Sequence, residues 1–427
     1  MSGDTIFALS SGSPPAAIAV VRLSGPCAGD ALRILSGAVP KARKVSLRTL
    51  RHPDGGGVLD RALVLFMPGP DSATGEDCAE LHLHGGRAVV SAVEQALGSL
   101  TGLRRAEAGE FTRRAFANGR MDLAEAEGLA DLLAAETELQ RRNAQALASG
   151  VLSERVDGWR EQVLSLAAFV EANLDFADED DVADLPADFA VRCEVLARDL
   201  ALWLAIPRAE TLREGFRVVI AGPPNSGKSS LFNALVEDEA AIATPIAGTT
   251  RDILSRPVSL SGVPFVFTDT AGLRDDTADV IERIGIERAR GELGKADLVL
   301  WLGPEGEGPG GSWEIETMID RPGEAGKVFS RFRVSSVTGE GIDKLRAALI
   351  THARSSMPKP GEVAVSRRQA ELLDQARQAI GDAGGEVDPL IVAEHLRVAR
   401  TMFDKLTGRA ATEDMLDALF GRFCIGK

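Results

Sequence analysis

Tyrosine is absent from the chain, and phenylalanine and tryptophan number only 16 and four. Platforms that bind single-stranded nucleic acid are rows of aromatic rings, so extended surfaces of that kind are not expected. Cysteine is scarce too: Cys27, Cys78, Cys193 and Cys424 lie far apart with no CxxC pair. That argues against a disulfide framework or a zinc ribbon and fits a reducing compartment. Positive charge is in deficit, with 48 Lys and Arg against 63 Asp and Glu and a formal net charge of −15. Overall attraction to nucleic acid is therefore disfavoured, and any RNA contact must be local. No apolar run reaches the roughly 18 residues a spanning helix needs. The opening MSGDTIFALSSGSPP lacks the basic and apolar segments of a signal peptide. A cytoplasmic protein with no membrane association is expected.

What is present suffices for several cores. Apolar residues make up 44% of a chain of 427, a length that divides into about two to four domains. Residues 1–118 carry short β-rich runs such as Ala16 to Leu23 and Ala62 to Met67 between Pro/Gly turns, the texture of an α+β domain. In 119–214 the texture is helical: Leu152, Val156, Trp159, Val163, Leu166 and Val170 step by four and three, one apolar stripe along a helix. The acidic run Asp175 to Asp184 ahead of Pro186 reads as a solvated loop between helices, and no metal is assigned to it. Residues 215–354 alternate buried strands (FRVVIA, PFVF, DLVLWL) with helical patterns, which implies a parallel, doubly wound sheet. After the linker SMPKPG, 355–427 return to helix, including Ala393 to Leu406 and Thr412 to Phe423. The fold class expected is multidomain: an α+β N-terminal domain, an α-helical domain, and an α/β P-loop domain of Ras-like type inserted into the helical one.

The inserted segment carries the strongest motif. Gly222-Pro223-Pro224-Asn225-Ser226-Gly227-Lys228-Ser229 matches GxxxxGK[ST] between FRVVIA and the helical SLFNALV. Backbone N–H groups of such a loop close around phosphate oxygens, Lys228 reaches the β and γ phosphates, and Ser229 ligates Mg2+. Further on, Asp269-Thr270-Ala271-Gly272 follows the strand PFVFT, where Asp269 can hold the Mg2+ shell and the Gly272 N–H can sense a γ-phosphate. Between them Gly248-Thr249-Thr250-Arg251-Asp252 supplies Thr250 as a second Mg2+ ligand. Their order and spacing after a P-loop mark a switch GTPase. The nucleotide contacts expected are Asn225, Ser226, Gly227, Lys228, Ser229 and Ser230, then Thr244, Pro245, Ile246, Ala247, Gly248, Thr249 and Thr250, then Asp269, Thr270, Ala271 and Gly272.

The base reader departs from the usual NKxD. Thr317-Met318-Ile319-Asp320 keeps the carboxylate that accepts from guanine N1–H and N2–H2, but has Thr for Asn and Met for Lys. Ser335-Ser336-Val337 fits the later turn whose backbone N–H meets guanine O6. Guanine over adenine is favoured, with reduced affinity. Leu273 stands where Ras-like enzymes carry the water-orienting Gln, so another residue must place the attacking water. Glu282 and Arg251 are the candidates, against the ordinary fate of solvated helix charges such as Arg283 and Glu287.

Taken together, AIAVVRLSG (Ala17 to Gly25), PGPDSATGEDCAELHLHGG (Pro68 to Gly86), AEAGEFTRRAFANGRMDLAEAE (Ala106 to Glu127), PPNSGKSSLFNAL, AGTTRD, DTAGLR, ERIGIERA and FCIGK resemble the bacterial tRNA modification GTPase family MnmE, also known as TrmE. The resemblance spans nearly the whole chain. It implies a homodimer whose N-terminal domains associate and bind 5-formyl-tetrahydrofolate or a related one-carbon folate. It also implies a partnership with the FAD- and NADH-using protein MnmG, the pair installing an aminomethyl-type group on C5 of the wobble uridine of certain tRNAs. The family's folate contacts fall on Arg22, Glu80, Arg120 and Lys427; cations suit the glutamate carboxylates of a folate, and Glu80 the ring N–H groups. The family is K+-stimulated, and its K+ ligands carry over to Asn225, Thr244, Ile246 and Thr249, a set of weak oxygen donors suited to a large monovalent cation. Glu282 falls on the family's water-orienting glutamate, with Lys228 and Arg251 beside it in the catalytic set.

Cys424, next to the implied folate site, is either a participating thiolate or an inert thiol. His82 and His84 alternate on one strand face without a third metal ligand, which favours packing or hydrogen bonding. Two other functions compete: a GTP-switched RNA- or ribosome-docking factor of the Era type, disfavoured by the charge, and a degenerate G domain kept as a scaffold.

Overall fold

The computed structural model describes residues 3–175, 185–236, 255–269, 293–321, 326–359 and 361–427. The acidic run expected as a loop lies, but for its first residue, outside them. The chain forms two compact units: Met1–Ala130 with Ser153–Asp157 and Phe403–Lys427, and Asp131–Leu152 with Gly158–Met402.

The first unit is built on a six-stranded sheet of order β3-β4-β5-β2-β1-β6. Its strands are β1 (Thr5–Leu9), β2 (Ile18–Ser24), β3 (Ser46–Arg51), β4 (Val58–Met67), β5 (Cys78–His84) and β6 (Leu103–Arg105). All neighbours are antiparallel except β1 and β6. Alternation decides the faces. Val21, Leu23, Ala79, Leu81 and Leu83 turn inward against Ala31, Leu32 and Leu35 of α1 (Ala28–Ser36) and Val90, Val93 and Leu97 of α2 (Arg87–Gly98). Arg22, Glu80 and His82 take the opposite face, where Ile18, Leu47 and Leu63 also stay exposed. A smaller core joins Leu123 and Ala126 to Leu416, Phe420 and Phe423. It fixes the chain beyond Phe420, so that Ile425 bridges Ala108 in antiparallel register.

The second unit holds the other six-stranded sheet, β12-β11-β10-β7-β9-β8. Here β7 (Phe216–Ala221), β9 (Val263–Asp269), β10 (Leu298–Trp301), β11 (Trp313–Glu316) and β12 (Phe332–Arg333) run parallel. The expectation of a wholly parallel sheet needs one correction: β8 (Ser255–Leu260) pairs antiparallel with β9. The cause is the two-residue link Ser261-Gly262, both residues at positive φ (50° and 77°), the geometry of a tight type I′ hairpin.

The stripe read from Leu152 to Val170 is buried along its whole length in the helix Val151–Asp175, each member at most 2% exposed. Trp159 on this helix meets Trp203 edge-on at 5.6 Å and donates its indole N–H to Asp199 at 2.6 Å. Burial pushes the Cys193 thiol, on the helix Phe189–Leu204, up to about 11, which makes it unreactive near neutrality. Among the described residues no helix is long and apolar enough to cross a membrane.

Candidate functional site

In the second unit β7 ends at Ala221 and the helix Lys228–Val236 begins seven residues on, with the P-loop between. Helical N–H groups left unpaired at such an N-terminus attract anions. Asn225 sits exposed at a turn with φ 60°. Lys228 is 7% exposed, and its Nζ donates to the Pro223 carbonyl at 2.7 Å. Ser229 Oγ donates to Asp269 Oδ2 at 2.7 Å, and Asp269, closing β9, is 1% exposed. A hydroxyl beside a carboxylate is a hard-oxygen set, and these two residues fit Mg2+ and its water shell.

The residues expected to read the base lie at the same end of the sheet. Directly after β11, Thr317 Oγ1 donates to the Ser226 carbonyl at 2.7 Å. Gly227 has φ 87°, left-handed backbone that favours glycine, and a Cβ there would lie 3.3 Å from Met318 Cε and 3.4 Å from Thr317 Oγ1. Buried Ser335, following β12, donates its hydroxyl to Asp320 Oδ1 at 2.6 Å and accepts from the N–H groups of Val337 and Thr338. That Ser335 hydroxyl holds the Asp320 carboxyl below its ordinary value. Asn225, Ser226, Gly227, Lys228, Ser229, Asp269, Thr317, Asp320, Ser335 and Ser336 thus gather at the carboxyl ends of parallel strands, where open α/β sheets bind ligands. Ser230 follows in the first turn of the helix. Thr244, Pro245, Ile246, Ala247, Gly248, Thr249, Thr250, Arg251, Thr270, Ala271, Gly272 and Glu282 lie outside the described residues.

A second group lies on the open sheet face of the first unit. Arg22 and Glu80 are cross-strand partners, and the guanidinium places Nε and Nη2 on Glu80 Oε1 at 3.0 and 2.9 Å. The other oxygen of Glu80 meets His82 Nε2 at 3.1 Å. Burial raises the Glu80 carboxyl, but the bonds from His82 and Arg22 outweigh it and keep the group low. His84 bonds Asp60 at 2.7 Å, so both histidines serve as hydrogen-bond partners of carboxylates. An anionic acceptor flanked by a cation fits the donor edge of a pterin.

The chain around Arg120 and Lys427 is anchored in the first unit through neighbours that sequence reasoning passed over. Ser24, two residues beyond Arg22, contacts Thr74 Oγ1 at 2.6 Å, and the Thr74 carbonyl accepts from Asn118 Nδ2 at 2.7 Å. The Arg120 N–H then closes onto Ala115 O at 2.8 Å. The Gly426 carbonyl accepts from Ser10 Oγ at 2.8 Å, and the Lys427 N–H reaches Cys424 O at 3.2 Å. Cys424 is exposed. The only sequence signal for Asn118 was its place in the NGR turn.

Behind this turn lies an ionic cluster. Arg114, on the helix Glu110–Ala117, binds Asp4 at 2.9 Å, Glu110 at 3.0 Å and Glu76 at 3.1 Å, and Arg104 binds Asp4 and Glu110 at 2.5 Å. Burial raises the Glu110 carboxyl, but hydrogen bonds from Arg104, the Glu107 N–H and Arg114 hold it below its ordinary value of 4.5. A carboxyl lowered by folding contributes stability that is complete above the unfolded value and lost as pH falls through the folded one. Glu110→Gln should therefore cost about 2 kcal/mol at neutral pH, since it removes the carboxylate shared by Arg104 and Arg114 and leaves each with fewer partners. The deficit should shrink steadily once pH falls below 4.5. Denaturant titrations of both proteins across that range check this, and a deficit independent of pH would contradict it.

Residues 5–120 match the GTP-binding protein TrmE N-terminus, and residues 123–424 match the MnmE helical domain. The tRNA modification GTPase MnmE of Novosphingobium aromaticivorans is 61% identical over 435 aligned residues, covering 99% of this chain and 100% of its own. That of Erythrobacter litoralis is 62% identical over 424, with 99% and 100% covered. Among solved structures, the G domain of the T. maritima FeoB iron transporter is 27% identical over 32% of this chain and 98% of its own, with a TM-score of 0.22. An Era-type reading leaves the TrmE N-terminal match without a counterpart. With relatives of this identity aligned from end to end, the chain belongs to the MnmE family of tRNA modification GTPases.

Proposed function

We propose that the chain is a K+-stimulated GTP hydrolase which, with the FAD-containing partner MnmG, adds an aminomethyl or carboxymethylaminomethyl group at C5 of the wobble uridine of certain tRNAs. The observation that carries the hydrolase reading is the pair of tethers around one cradle: Ser229 on Asp269 at 2.7 Å and Ser335 on Asp320 at 2.6 Å. The first aligns oxygen ligands for Mg2+, and the second aims an ionised carboxylate at guanine N1–H and N2–H2. Bound Mg2+ neutralises charge on the phosphates. Lys228 holds the phosphate oxygens from its buried position, and Glu282 and Arg251 place the attacking water. K+ would be held by Asn225 with the carbonyls of Thr244, Ile246 and Thr249, and would supply positive charge beside the phosphates.

The one-carbon folate lies on the sheet face of Arg22 and Glu80, with Arg120 and Lys427 binding its carboxylates. Support comes from the Glu80 acceptor, low in pKa and flanked by Arg22. The homodimer reading draws support from the same face, where Ile18, Leu47 and Leu63 stand 59, 50 and 45% exposed.

Hydrolysis of GTP and ATP by the full chain, in KCl and in NaCl at equal ionic strength, tests the proposal. Turnover selective for GTP and at least about tenfold faster in KCl is expected, the size of one well-placed cation contact in the transition state. Equal rates in both salts would remove the K+ site. Absence of turnover would favour a scaffold role for the G domain.

A further inference from the structure

Guanine offers more than the edge that Asp320 faces. Its imidazole side presents N7 as an acceptor next to O6, and reading N7 requires a donor. Thr317 opens the base-reading loop, and a hydroxyl has a single hydrogen to give. That hydrogen goes to the Ser226 carbonyl at 2.7 Å. The next side chain, Met318, has no donor and packs its methyl toward Gly227, while its carbonyl accepts from the Arg321 N–H at 2.9 Å. Asp320 only accepts, and the Ser335 hydroxyl is committed to it at 2.6 Å.

We infer that Thr317 is a positioning residue that ties the base-reading loop to the P-loop, leaves guanine N7 unread, and so makes nucleotide choice rest on the Watson–Crick edge alone. This rests on the base-reading role of Asp320 proposed above. The loop keeps its attachment to the P-loop through the hydroxyl, which explains how a TMID sequence holds Asp320 in place without the usual asparagine. A guanosine triphosphate altered at position 7 is then as good a ligand as GTP, whereas one altered at position 2 is not.

Equilibrium binding of GTP, 7-deaza-GTP, ITP and ATP to the full chain tests the inference. Wild type should bind GTP and 7-deaza-GTP within about threefold of each other, less than one hydrogen bond is worth. ITP, which lacks the 2-amino group, should bind at least about tenfold more weakly, the loss of one charge-assisted bond. Thr317→Val keeps the shape but loses the tether, and should weaken GTP and 7-deaza-GTP together by about five- to tenfold. Thr317→Asn brings two amide hydrogens, one for Ser226 O and one for N7, and should create a preference for GTP over the deaza analogue. A wild-type preference of tenfold or more for GTP over 7-deaza-GTP, with ITP rejected, overturns this inference alone. So does a Thr317→Val protein with unaltered affinities. Equal binding of GTP, ITP and ATP overturns the Asp320 assignment and this inference with it.

Discussion

Asp320→Asn should exchange the preferred nucleotide from GTP to XTP. The carboxylate is acceptor-only and meets two donors on guanine, N1–H and N2–H2. Xanthine keeps N1–H but carries an oxygen at C2, so an amide, with one acceptor and one donor, complements it and mispairs with guanine. Sites built on such hydrogen bonds reject the mismatched partner by about 10⁴- to 10⁵-fold in kcat/KM. Ser335 donates to Asp320 Oδ1, an oxygen that asparagine retains, so the loop keeps its anchor in the variant. Steady-state hydrolysis of both nucleotides by both proteins measures the exchange. A variant that still favours GTP over XTP would show that another group reads the base.

Gly426→Ala should abolish most folate binding while leaving GTP hydrolysis unchanged. Gly426 has φ 98°, and a Cβ there would lie 2.2 Å from the Leu9 carbonyl oxygen. Backbone strain and overpacking of that order cost about 1–3 kcal/mol each. The segment escapes the cost by leaving the sheet, carrying Lys427 with it. A drop of about 10²-fold in affinity for 5-formyl-tetrahydrofolate is the expected scale. Ser10→Ala, which removes only the bond to the Gly426 carbonyl, should produce a smaller loss. The second unit supplies its own P-loop and base-reading tethers, so nucleotide turnover serves as the internal control. Full folate affinity in the Gly426→Ala protein would detach Lys427 from the site.

Features with a local physical signature were legible in the sequence. The stripe from Leu152 to Val170 follows the helical repeat, and every member is buried. The P-loop declares itself because its glycines, lysine and serine are contiguous. Strand β8 was missed because SRPVSL has a proline at its centre and no clear alternation, and it gains its partner only through the Ser261-Gly262 turn. Contacts across long sequence separation were not legible either. Arg22 and Glu80 are 58 positions apart, and Thr317 and Ser226 are 91. Each was visible as a residue, but the partner that gives it meaning was not. Thr317 in particular read as damage to a motif, whereas in the fold it supplies a tether.

The ends of the second sheet limit how two copies of this unit can meet. One edge is β8, with Pro257 in mid-strand opposite Val266, where the missing N–H interrupts any added ladder. The other is β12, only two residues long. Short strands and proline are the devices that stop sheets from growing by edge-to-edge addition. Self-association by continuing the sheet into a second copy is thereby suppressed at both borders. Any pairing of two copies of this unit would therefore use side chains and loops, and could be made to depend on what those loops hold.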